Sequence, residues 1–128
     1  MSKTLNRSLA LIAAFSALSV VSVDAAAATI RVKCETRAGR SSGSVDGQNL
    51  ASGNYSAVFS SGSNTAQSPV EHTVGDEVEF DFDSNKRDIK QGATPIAKDF
   101  IVGGTATGSL LDAGGKVVAT KTVTCRAR

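Results

Sequence analysis

Glu77-Val78-Glu79-Phe80-Asp81-Phe82-Asp83 alternates acidic and apolar residues without a break. Successive side chains of a strand leave on opposite faces, so Val78, Phe80 and Phe82 share one face and the carboxylates share the other. A helix would scatter both sets around its circumference. The stretch reads as a half-buried β-strand, and its neighbours in sequence repeat the pattern.

From Ala28 to Arg37, Ile30, Val32 and Cys34 point one way, while Arg31, Lys33, Glu35 and Arg37 point the other. Tyr55 to Ser60 places Tyr55, Ala57 and Phe59 on one face. Between these two strands, a short segment at Ser44-Val45 leads into an Asp46-Gly47 turn, by the preference of that dipeptide for tight reversals. Ser61-Gly62-Ser63-Asn64 turns into a weak strand over Thr65 to Ser68. Residues 84–95 are polar and read as a loop or a single helical turn. Ile96 to Val102 and Thr105 to Leu111 read as strands, and Asp112-Ala113-Gly114-Gly115 closes a hairpin onto Lys116 to Arg126. Short strands between frequent turn signals predict an all-β fold, a single antiparallel β-sandwich of about seven to eight strands.

Leu50-Ala-Ser-Gly-Asn-Tyr55-Ser-Ala-Val58 resembles the L-x-x-G-x-Y strand entry of bacterial Ig-like and transthyretin-like sandwiches. Thr107-Gly-Ser-Leu-Leu-Asp112-Ala-Gly-Gly115-Lys-Val-Val118 is similar to the G-x-V-x-D-x-x-G-x-x-V hairpin of the same broad group. Here the hairpin follows the Tyr strand, the reverse of the transthyretin-like order. The resemblance implies a sandwich architecture, and a fold of this kind carries no activity by itself.

The beginning of the chain reads as an address. Lys3 and Arg7 precede an uncharged stretch from Leu9 to Val23, and Ala25-Ala26-Ala27-Ala28 offers small-x-small cleavage sites. As a helix that stretch would reach about 22 Å, short of a hydrocarbon core of about 30 Å. Residues 1–28 are therefore expected to be a secretory signal peptide, and residues 29–128 a single domain, exported to the periplasm or the cell exterior with no stable membrane insertion after cleavage.

Without Lys3, Arg7 and Asp24, the remaining 100 residues carry 12 basic and 11 acidic side chains, and only 21 of them are Val, Ile, Leu or Phe. So small an apolar complement calls for reinforcement. Cys34 and Cys125, 91 positions apart, supply it: two cysteines in a small exported domain pair. Closing so large a ring is worth about 4.6 kcal/mol in the chain-entropy model. The bridge requires the first and last strands to lie side by side or to face each other across the core.

Charge is segregated along the chain. Glu71, Asp76, Glu77, Glu79, Asp81 and Asp83 fall in one short span without a Lys or Arg, while Arg31, Lys33, Arg37 and Arg40 lie near the N-terminal strand. Lys116, Lys121, Arg126 and Arg128 follow in the last strand. One account is internal relief of like charges by a basic neighbouring strand; the other is a surface for a complementary protein partner or a second copy of the chain. Asp81-x-Asp83-x-Asn85, with Asp88 nearby, imitates the start of a calcium loop. Only a bend after Asp83 could gather Asp83, Asn85 and Asp88 with Asp81 at the edge, and Lys86 and Arg87 would oppose the ion. A solvated strand end is the competing reading, and no other cofactor is expected.

Several function classes are disfavoured. The formal charge of +2 over 128 residues gives no electrostatic argument for nucleic acid. His72 is the chain's one histidine and reads as an exposed loop residue; no nucleophile elbow or phosphate loop accompanies it. The chain is expected to be non-enzymatic: an exported binding or accessory protein. A structural subunit of an extracellular fibre or adhesin is the alternative, followed by a secreted enzyme inhibitor.

Overall fold

In the computed structural model, which describes residues 27–128, Gly39 at a φ of +71° folds β1 (Thr29–Arg37) back onto β2 (Arg40–Gln48). Gly62 likewise joins β3 (Asn54–Ser61) to β4 (Asn64–Gln67), and β5 (Glu71–His72) pairs with the start of β3. β6 (Val78–Asp83) then returns to β2. A one-turn helix, α1 (Lys86–Lys90), and β7 (Thr94–Pro95) follow. The hairpin of β8 (Thr105–Leu111) and β9 (Val117–Thr124) leads into β10 (Arg126–Ala127). The expected signal peptide, residues 1–28, lies outside the described residues apart from Ala27 and Ala28.

Two sheets result, as the alternating pattern requires. One runs β10-β1-β2-β6-β7 and the other β4-β3-β8-β9, with β5 beside β3. The long pairs are antiparallel. Two-residue parallel pairs, β10 on β1 and β7 on β6, finish the edges of the first sheet. The chain changes sheet at Cys125: β9 pairs with β8, and β10, one residue later, pairs with β1. The Cys34–Cys125 disulfide sits at this crossing, with 4.7 Å between the two Cα atoms. The sandwich and its tether match expectation, and the short edge strands bring the count to ten instead of seven or eight.

Two local expectations are corrected. Ser44-Val45 is no short segment, and Asp46-Gly47 is no turn: all four residues lie inside the nine-residue β2. Its glycines serve close approach. A Cβ on Gly43 would stand 2.2 Å from the Phe59 ring, and one on Gly47 would stand 2.6 Å from Leu110 Cδ2. The reversal comes later, at Asn49, whose φ is +58°, a conformation asparagine tolerates better than most residues. Nor is Ile96 to Val102 a strand. That segment is irregular, and buried Ile96 and Phe100 plug the core from it. Ile96 N–H donates to Asp83 O, while Phe100 N–H closes a turn onto Ala97 O, so the backbone finds partners without a ladder.

The core is aromatic at its centre. Phe59 from the second sheet stacks on Phe82 from the first at 5.1 Å between centroids, and on Phe100 at 5.6 Å. Val32, Val45, Phe80 and Leu110 fill in around them. Gly108 lets Val32 press onto β8, since a Cβ there would meet Val32 Cγ2 at 2.6 Å. The motif at residues 50–58 enters β3 with Leu50 and Tyr55 both buried. The Tyr55 hydroxyl donates to Ala51 O at 2.7 Å, the bond of a tyrosine corner.

These contacts and the disulfide set three expectations. Gly43→Ala should destabilise the protein by about 1–3 kcal/mol, because the backbone of β2 must retreat from Phe59. Gly53→Ala, where a Cβ meets nothing within 4 Å, should stay within about 0.5 kcal/mol of the parent in urea unfolding. Replacing both cysteines by serine should lower stability by about 2–5 kcal/mol. If reductant left the parent's melting temperature unchanged, the clasp would not be holding the sheets.

Candidate functional site

The bend after Asp83 does gather Asp83, Asn85 and Asp88, and the cation among them is Arg40. Its guanidinium grips Asp83 with two hydrogen bonds, Nε to Oδ1 at 3.0 Å and Nη2 to Oδ2 at 2.8 Å. Nη2 also reaches Asp88 Oδ2 at 2.8 Å. Asn85 is occupied as the N-cap of α1: its Oδ1 accepts from Arg87 N–H at 2.9 Å and Asp88 N–H at 3.4 Å. Asp83 is further satisfied by Asn85 N–H at 2.9 Å and is buried. Hydrogen bonds to Asp83 raise the Arg40 pKa further above its ordinary value, and the charges of Asp83 and Asp88 add to them. Asp81 stays outside this knot, one pleat back on the strand. Among the described residues, no group of three or more His, Cys, Asp or Glu side chains converges as a metal site. The corner is a structural joint that fastens α1 to the end of β6.

Next to it, the outer face of the first sheet carries rows of charges of which only some are paired. Strand register sets three residues side by side in each row: Arg31, Asp46 and Glu79; then Lys33, Ser44 and Asp81; then Glu35, Ser42 and Asp83. The basic and acidic strands of the sequence thus lie in one sheet, separated by β2 alone. Internal relief is uneven. Glu35 is held by Arg37 and Arg128. Loss of solvent pushes its pKa up, and the two guanidiniums outweigh that and bring it below the usual carboxylate value. Asp46, in contrast, stands directly opposite Glu79. Partial burial raises its pKa, Glu79 and Asp81 raise it further, and Lys33 and Arg31 offset only part. Asp81 is raised in the same way by burial, then by Glu79, Asp83 and Asp88, with Lys33 opposing.

A cavity of about 790 Å³ opens on this face. Lys33, Ser42, Ser44 and Asp81 line it from the strands, Gln91 from the end of α1 and Arg126 from β10. Lys33, Arg126 and Asp81 form no ion pair among the described residues, and the side chains of Ser42 and Ser44 form no hydrogen bond there. Such a surface presents fixed charge of both signs, with hydroxyls between them. It suits the holding of a polar, charged partner. His72, on β5 of the other sheet, is exposed and bonds Asn54 Oδ1 through Nδ1 at 2.8 Å.

The sequence singled out Asp81, Asp83, Asn85 and Asp88 and missed Arg40 as their partner. Arg40 begins β2, 43 positions before Asp83, and only knowledge that β2 pairs with β6 would have joined them. No protein-family model matches the chain, and no curated protein matches its sequence.

Arg40→Gln should cost about 1.5–3 kcal/mol, because Asp83 would be left buried with its charge unmet. Asp81→Asn should act the other way. A carboxyl whose pKa is raised by folding weakens the fold once it ionises. Its contribution is intact below the unfolded value, 3.8 for aspartate, and is lost as pH rises through the higher folded value. The substitution should therefore stabilise by roughly 0.2–1 kcal/mol at pH 7. The gain should vanish in acid, below the unfolded value. Glu35, with its lowered pKa, works in the opposite sense and weakens the fold as pH falls. Thermal melts of the parent, Asp81→Asn and Glu35→Gln from pH 3 to pH 7 measure these signs.

Proposed function

We propose that this chain is an exported, non-catalytic binding or accessory module that holds a protein partner against the charged face of its first sheet. The observation that carries the reading is the row Lys33–Ser44–Asp81, which lines an open cavity with opposite charges not tied to each other. Complementary charge across an interface steers partners together and sets their register. The disulfide supports an oxidising compartment, where such bonds persist. The basic start, apolar stretch and alanine run of residues 1–28 support export. The Ig-like resemblance of the two motifs fits a scaffold that binds through a face and loops.

A double charge reversal, Lys33→Glu with Asp81→Lys, tests the reading. Both side chains are on the outer face, so circular dichroism and melting should remain close to the parent. Cross-linked capture from the producing organism's own extracellular fraction should recover a partner with the parent and lose it with the variant. Equal recovery with both proteins would overturn the assignment to this face. Mass spectrometry of the exported protein should find a mature N-terminus at or near Thr29.

A further inference from the structure

We infer that β9 is a docking edge for an extended, carboxylate-rich segment of another protein, which would add to the second sheet as a further strand. β9 ends its sheet, with β8 on one side and, among the described residues, no strand hydrogen-bonded on the other. It is eight residues long and none of its residues is buried; Val117 is 52% exposed. Other outer strands are blunted in the ways that natural edges are. β5, β7 and β10 have two residues each, β7 contains Pro95, and β4 has four residues. β9 keeps its full length.

The charge on β9 and its immediate flanks is of one sign. Lys116 precedes β9, Lys121 lies in it and Arg126 follows it. Exposed Arg31 and Lys33 stand on β1, which packs against β9. Of the acids nearby, Glu35 is engaged by Arg37 and Arg128, and Asp112 by the N–H groups of Gly114 and Lys116 in the hairpin turn; Asp81 stands across the cavity that Val123 and Thr124 help line. By register, Lys121 sits opposite Gly108, on the side of β9 from which Val123 packs against the core. An inward-facing lysine on an edge strand is a known guard against indiscriminate pairing. A second copy of β9 would bring lysine toward lysine and meet the basic residues of β1. An incoming strand with carboxylates at alternate positions would meet Lys121 and Lys116 favourably, while its backbone satisfied the open N–H and C=O groups of β9. The chain's own acidic run cannot be that strand, since it forms β6, held between β2 and β7.

This inference shares the premise of protein binding with the proposed function, and the two surfaces adjoin: Val123 and Thr124 at the end of β9 line the charged cavity, while Lys116 and Lys121 lie outside its lining. The probe is a fluorescent octapeptide of alternating Val and Glu, titrated onto the disulfide-bonded protein. It should bind, and its Val/Lys counterpart should bind at least tenfold more weakly. Methylating every second backbone nitrogen on the peptide's bonding edge should weaken binding by a similar factor, as strand pairing demands. Lys121→Glu should reverse the preference toward the Val/Lys peptide, a gain that a misfolded variant could not produce. Lys33→Glu with Asp81→Lys, which reverses the cavity without changing its net charge, should leave the loss on backbone methylation intact. Equal binding of methylated and unmethylated peptides, or no response to Lys121→Glu, would overturn strand addition at β9. Either result would leave partner capture through the Lys33–Asp81 face untouched.

Discussion

The Cys34–Cys125 bond fixes the place where the chain passes from one sheet to the other, and the rest of the sandwich depends on that crossing being held. β10 has only two residues and one short parallel pairing to keep it on β1. Arg128 adds its backbone N–H to Thr36 O and its guanidinium to Glu35. These contacts are exposed and individually worth little. The covalent link makes them persistent by holding the two ends of the domain together. A chain with 21 Val, Ile, Leu and Phe residues in its last hundred gains relatively more from this than a richer core would.

Thin as it is, the core is tightly fitted, and its glycines show how. Gly43, Gly47 and Gly108 each occupy a position where a methyl group would strike an opposing side chain. Phe59 lies over Gly43, and Val32 lies over Gly108, so large residues on one sheet pass into spaces left by glycine on the other. That exchange keeps a few bulky groups in contact across both layers. It also explains why a glycine- and serine-rich sequence such as Arg40–Gln48 forms a central strand despite weak intrinsic preference. Its neighbours on both sides, β1 and β6, supply the ladder and the apolar cover.

The architecture was legible where alternation was strong. Glu77 to Asp83, Ala28 to Arg37 and the Asp112–Gly115 hairpin all took the form their spacing dictates. It was misread where composition stood for geometry. Asp46-Gly47 carries a turn signal locally, yet Gly47 is glycine because Leu110 lies across from it. Ile96 to Val102 is apolar enough for a strand, but two of its side chains serve as plugs on an irregular backbone. Of the candidate site, the acidic residues were visible and their fates were not. Whether a carboxylate is capped, paired or left facing another carboxylate depends on strand order, and strand order is a long-range property that no local window contains.

Contrast between two neighbouring clusters bears on what the face is for. At the Asp83 corner the fold supplies Arg40, a cap and a backbone N–H, so that the acids are met closely. Two pleats away, Asp46 and Glu79 stand in register on adjacent strands, with burial and like charge both acting against ionisation of Asp46. Cross-strand pairs of like sign weaken a sheet, and a serine or lysine at either position would remove the conflict. Sequences that break a local rule without local compensation tend to do so where the surface has other work. A marginal core makes such a conflict more costly in relative terms, which adds weight to a role for this face beyond folding. The same reasoning applies to β9, whose length exceeds what a blunted edge needs and whose one guarding charge leaves opposite charge welcome.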